Sequence, residues 1–196
     1  MPELPQDVPA GYTLAHRFRL TEKRPLLWMN VVGLLIFVIA LAVAFTGLLL
    51  YDALGSPLVA PAQPVSLSLW WYVVMAVGTL AAHEGLHGLT ILAAGHRPRF
   101  GVKLRRLVLY TTADAYFTRP QYLRVTLAPL VGITLIGLAA MLLIPKGIAA
   151  WVGIMVAMNA ASSIGDLWMA AVTASFPANA LFHDEEDGMS IFLPGG

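Results

Sequence analysis

His83-Glu84-Gly85-Leu86-His87 sits in the middle of an apolar run that extends from Leu67 to Ala94. On a helix, residues four apart stack on one face, so His83 and His87 can direct a ring nitrogen at the same point while Glu84 lies beside it. Packing in lipid gives no reason for such a set. A carboxylate at the centre of a membrane span costs on the order of 2.5 to 3.5 kcal/mol on insertion scales. A divalent cation held by the two imidazoles would offset that cost.

The surrounding composition is that of a membrane protein: of 196 residues, 58% are hydrophobic and 12% charged,. A helix needs about 20 apolar residues to cross a hydrocarbon core of about 30 Å. Four runs qualify: Leu26 to Tyr51, Leu67 to Ala94, Leu123 to Ile144 and Ile148 to Phe176. The first follows Arg17, Arg19, Lys23 and Arg24 but is too long for a secretory leader, and it reads as an uncleaved anchor,. Prolines and glycines punctuate the runs: Pro25 opens the first, Pro57, Pro61 and Pro64 fill the first connection, Pro145-Lys146-Gly147 turns the third into the fourth, and Pro177 closes the last,.

The expected fold is an all-α integral membrane protein of four transmembrane helices, with a small β-hairpin-like cytoplasmic loop between the second and third. Residues 1–196 form a single membrane domain, with 1–25 as a cytoplasmic leader and 177–196 as a cytoplasmic tail. Of twelve Lys and Arg, four precede the first span and seven lie between Arg97 and Arg124. The positive-inside rule then puts both termini and the middle loop in the cytoplasm of a multi-pass protein of the cell membrane. Trp70, Trp71 and Tyr72 fall where an aromatic belt belongs at the opposite interface,.

With that orientation, His87 and His83 lie 7 and 11 residues inside the cytoplasmic end of the second span, and Asp166 lies 10 residues inside that of the fourth. At 1.5 Å per residue all three fall about 10 to 17 Å below the boundary. Among eleven acidic residues only Glu84 and Asp166 are embedded in apolar runs. A catalytic zinc is usually held by three side chains with a fourth position open, and His-His-carboxylate is one such set, which makes Asp166 the candidate third ligand. The chain has no cysteine, so nitrogen and oxygen must supply the ligands,. Asn159, two turns before Asp166, faces the same way and could donate to an oxyanion. Glu84, beside the metal, has the place of a general base.

The pentapeptide in a span, then Leu127-Ala128-Pro129, then Asn159 with Gly165-Asp166-Leu167 resembles a family of zincin peptidases otherwise known as a domain of unknown function. That family is similar in layout to the site-2 class of intramembrane metalloproteases. The resemblance implies His83, His87 and Asp166 as zinc ligands, Glu84 as catalytic base acting on a zinc-activated water, and Asn159 as a transition-state or substrate contact. The chain departs from the site-2 pattern in having Ala160 after Asn159 and Leu167 after Asp166, where those proteases usually have Asn-Pro and Asp-Gly.

Between Arg99 and Phe117, alternating Phe100, Val102 and Leu104 and the stretch from Leu107 to Thr112 predict a hairpin,. It can accept an extended peptide along its edge, or lie on anionic headgroups through Arg97, Arg99, Lys103, Arg105 and Arg106. Ser162 and Ser163 read as helix-packing residues, His16 and His96 as solvated, and His183 with Asp184, Glu185, Glu186 and Asp187 as a solvated acidic tail.

The function expected from these features is a membrane-embedded zinc metalloendopeptidase that hydrolyses a peptide bond near the cytoplasmic side of the bilayer. Its partners would be the lipid bilayer and a membrane-protein or peptide substrate; a net charge of +1 gives no sign of nucleic acid. The alternative is a divalent-metal carrier or sensor that uses the same ligands without hydrolysis.

Overall fold

The computed structural model describes residues 8–19, 23–53, 68–103, 108–144, 146–185 and 188–195. Pro57, Pro61 and Pro64, the Arg105-Arg106 pair, the Pro145 corner, and Glu186 with Asp187 lie outside those residues. The elements run β1 (Tyr12–Arg19), α1 (Lys23–Ala53), α2 (Leu69–Ala93), β2 (Arg99–Lys103), β3 (Val108–Thr112), β4 (Tyr116–Thr118), α3 (Arg119–Leu143), α4 (Lys146–Ser162), α5 (Ile164–Ser175), β5 (Leu181–Glu185) and β6 (Gly188–Pro194).

The apolar runs become helices because only a helix satisfies every backbone group within one segment when no water is at hand. Among the described residues two helices are long and apolar enough to cross a membrane, Leu27–Leu49 within α1 and Arg119–Leu143. A third crossing follows if α4 and α5, which meet at a 46° bend, count as one. Helix α2 has 25 residues, but His83, Glu84 and His87 lower its apolar character and it is not among these spans. The chain is not all-α. Four strands form an antiparallel sheet in the order β1-β6-β5-β4, and β2 and β3 form a separate pair.

The chain folds into two compact units. One comprises Leu27–His83 and Pro129–Ile164. In it Ala44, Met141 and Ala149 are packed with Leu48, Ile144 and Val152, and Tyr72 meets Trp151 edge to face at 4.5 Å. Along α1 the apolar side chains of Trp28, Leu34, Val38 and Leu49 are exposed, which is the pattern of a helix solvated by hydrocarbon rather than water,. Trp70 and Trp71 are exposed as a belt position requires,.

The other unit comprises residues up to Leu26, Glu84–Ala128 and Gly165 onward. It holds all six strands. The leader and tail expected to be solvated segments are strands of its sheet: β1 pairs with β6 from Tyr12↔Pro194 to Arg19↔Gly188, and β6 pairs with β5 from Leu181↔Phe192 to Glu185↔Gly188. A glycine is required at position 188, where a Cβ would collide with the Phe18 carbonyl oxygen. The core contains Ile91, Phe117, Tyr122, Val125, Phe182, Met189 and Ile191, with the Tyr122 and Phe182 rings stacked at 5.6 Å. His96, expected to be solvated, lies edge-on against Phe117 at 4.9 Å. The acidic tail is likewise built into the sheet. Glu185 takes an ion pair from Arg17 at 2.8 Å, and Asp184 accepts a hydrogen bond from the Tyr122 hydroxyl at 2.7 Å.

Helix α3 starts with a capping box: the Thr118 N–H donates to the Gln121 side chain at 2.9 Å, three residues on,. The predicted hairpin is present, in register from Arg99↔Thr112 to Lys103↔Val108. It rests on α2 immediately after the histidine motif. The Phe100 ring lies over Gly88 where any Cβ would meet it, and the Thr111 hydroxyl donates to the Glu84 carbonyl at 3.1 Å.

Burial pushes the Asp184 carboxyl from 3.8 up to about 6, partly offset by hydrogen bonds from Tyr122 and Thr112,. The folded protein therefore holds this proton more tightly than the unfolded chain. The associated stability is fully present below the unfolded value and is lost as pH rises through about 6,. Thermal unfolding in detergent followed across this window will show wild type losing stability as pH rises, with the dependence flattened in Asp184→Asn.

Candidate metal centre

The boundary between the two units falls inside α2, between His83 and Glu84, but α2 is one continuous helix. Helix geometry alone therefore stacks the His83 and His87 rings. Both are buried in an apolar setting, where each ring nitrogen needs a partner,. His83 Nδ1 lies 2.9 Å from Asn159 Oδ1, and His87 Nδ1 lies 2.8 Å from the Val125 carbonyl oxygen. Both partners are acceptors, so each Nδ1 carries a proton and donates it, which leaves Nε2 as the ring atom that can meet a metal.

The acceptor for His87 is created by a proline. Pro129 lies inside α3 and has no N–H, so the carbonyl four residues earlier, that of Val125, loses its helical donor,. That carbonyl is the one His87 uses. Pro129 contributes a second time, because its own carbonyl accepts the Asn159 Nδ2–H at 3.1 Å. Asn159 is fully buried, with its oxygen turned to His83 and its amide to Pro129. That bond uses one of the two N–H groups of the Asn159 amide,.

Asp166 is reached through a break in the fourth apolar run. The Ser162 and Ser163 hydroxyls both donate back to the Asn159 carbonyl at 2.9 Å. Bonding of this kind bends helices, and here α4 ends at Ser162 while α5 begins at Ile164,. Asp166 thus falls in the first turn of α5, where a carboxylate interacts favourably with the helix dipole,. Its Oδ1 is 3.4 Å from His87 Nε2. His83, His87 and Asp166 each offer a ligand atom, and these atoms lie within 4.8 Å of one another. Two imidazoles and one carboxylate, all buried, suit a zinc ion with a fourth position left open,. Glu84 follows His83 on α2 and is half-buried.

Val125, whose carbonyl His87 uses, and Pro129, which frees that carbonyl, are neighbours of this centre that the histidine motif does not reveal. Of these, only Pro129 leaves a local signal, since a proline within a helix always releases the carbonyl four residues before it. In Pro129→Ala the restored N–H competes with His87 for the Val125 carbonyl. Zinc affinity, measured by competition with a chromophoric chelator, is expected to fall by about 10-fold or more, the scale on which partners of metal-binding histidines act.

The family model described as "Putative zincin peptidase" matches residues 64–181. No curated protein and no solved structure matches the chain. The matched segment covers more than half of the sequence and contains the histidine motif, Pro129, Asn159 and Asp166. The chain belongs to this family of zincin peptidases.

Proposed function

We propose that the protein is an intramembrane zinc metallopeptidase, similar in layout to site-2 proteases, that hydrolyses a peptide bond near the cytoplasmic side of the bilayer. The observation that carries this reading is the convergence of His83, His87 and Asp166 in an apolar setting, with Glu84 adjacent to one of the three. A zinc ion held there supplies a lowered water pKa, toward about 7, and polarisation of the scissile carbonyl.

The remaining work falls to the chain. His83, His87 and Asp166 are the ligands, with Asn159 and the Val125 carbonyl fixing the two rings. Glu84 accepts the proton of the attacking water and returns it to the leaving amine. A substrate in extended form would meet Glu84 beside the hairpin, which is seated on α2 at Glu84 and Gly88,. The membrane placement rests on the apolar helices and on the distribution of Lys and Arg, with both termini cytoplasmic and α2 as the fourth crossing, its polar residues offset by the metal,. The substrate is accordingly a membrane protein or a peptide inserted in the bilayer.

Glu84→Gln separates hydrolysis from metal carriage, because a carrier or sensor has no use for a general base. In vesicles containing a candidate membrane peptide, the variant is expected to retain its zinc and to cleave at least about 10²-fold more slowly than wild type. Equal cleavage by the two would remove Glu84 from the mechanism. Zinc flux that survives the substitution, without cleavage by wild type, would favour a carrier.

A further inference from the structure

Asp184 lies in β5, beyond the segment matched by the family model. It is on the inner face of the strand with Phe182, whose ring stacks on Tyr122, and its carboxylate accepts the Tyr122 hydroxyl at 2.7 Å,. Tyr122 adjoins the surroundings of two of the ligands, His87 and Asp166. On α3 it is one turn before Val125, whose carbonyl holds His87. Its hydroxyl is also 3.6 Å from Met169 Sδ, one turn after Asp166 on α5. Asp184 is within electrostatic reach of both His87 and Asp166.

We propose that Asp184 is an outer carboxylate of the metal centre, fixed by the Tyr122 hydroxyl, whose negative charge strengthens cation binding by His83, His87 and Asp166. This inference rests on the metal reading of those three residues. Packing alone does not explain the choice of side chain. An asparagine would fill the same space and accept the same hydrogen bond without the cost of a buried charge. The Tyr122 hydroxyl donates to the Asp184 carboxylate, and the Thr112 hydroxyl from β3 donates to the Asp184 backbone carbonyl at 3.4 Å. Among the described residues no Lys or Arg forms an ion pair with Asp184, Arg17 being held by Glu185 and Arg99 by Asp114, so a cation at the ligand set would serve as its counter-charge. Glu185, the next residue, is on the other face of β5 and has its own partner in Arg17,.

The test is zinc affinity of the purified full-length protein in detergent at about pH 7.5, where the carboxyl is ionised. The expected result is a loss of about 10-fold in Asp184→Asn. Asp184→Glu should stay close to wild type, and Glu185→Gln should not differ from it. The metal-free Asp184→Asn protein should melt no lower than wild type, which a purely structural role would not allow. Asp184→Ala, which also removes the charge, stands in should the asparagine variant fail to fold. Wild-type affinity in the neutral variants, or a loss in Asp184→Glu equal to that in Asp184→Asn, would overturn the proposal. Wild type that binds no zinc at all would instead remove the metal centre itself.

Discussion

An imidazole buried among apolar helices is tolerable only if both of its nitrogens have work, and this requirement organises the protein. Two residues distant in sequence meet it for the two histidines of α2: Asn159 for His83 and the Val125 carbonyl for His87. With Nδ1 occupied in each ring, Nε2 is the atom presented for coordination. The Val125 carbonyl is available because Pro129 removes its helical donor, and the same Pro129 anchors Asn159 through its own carbonyl,. One proline thus supports both rings, directly for one and through an amide for the other.

Asp166 enters by a comparable local disruption. A straight helix through the fourth apolar run would carry the carboxylate in its interior. The serine pair instead ends α4 and starts α5, so Asp166 sits in a first turn with its Oδ1 toward His87. The unit to which His87 and Asp166 belong is held by a sheet whose strands come from both ends of the chain. Through Phe182 and Asp184, β5 packs on Tyr122, one turn along α3 from the carbonyl that fixes His87.

Much of the centre was legible in the sequence because its signals are local or depend only on helical rise. His83 and His87 are one turn apart, and counting residues inward from the basic flanks picks out Asp166, whose ligand atom lies within 4.8 Å of theirs. The hairpin was legible for the same reason, its two strands being neighbours with alternating apolar residues. What escaped was non-local. The strand Tyr12–Arg19 pairs with a segment near the other end of the sequence, from Tyr12 with Pro194 to Arg19 with Gly188, and nothing in either segment alone announces its partner. Reading Asp184 and Glu185 as part of a solvated run failed for a related reason: a strand exposes alternate faces, and the two residues point to different partners. The serine break was hidden because Ser162-Ser163 also fits simple helix packing.

The central claim is that two imidazoles and one aspartate from separate helices hold one metal ion. X-ray absorption at the zinc edge on purified wild-type protein, with elemental analysis on the same sample, tests it most directly. The account predicts one zinc per chain with two histidine nitrogens at about 2.0 to 2.1 Å and carboxylate oxygen in the first coordination sphere. Zinc in far less than equimolar amount, or a sphere of light atoms without the imidazole scattering pattern, would contradict it.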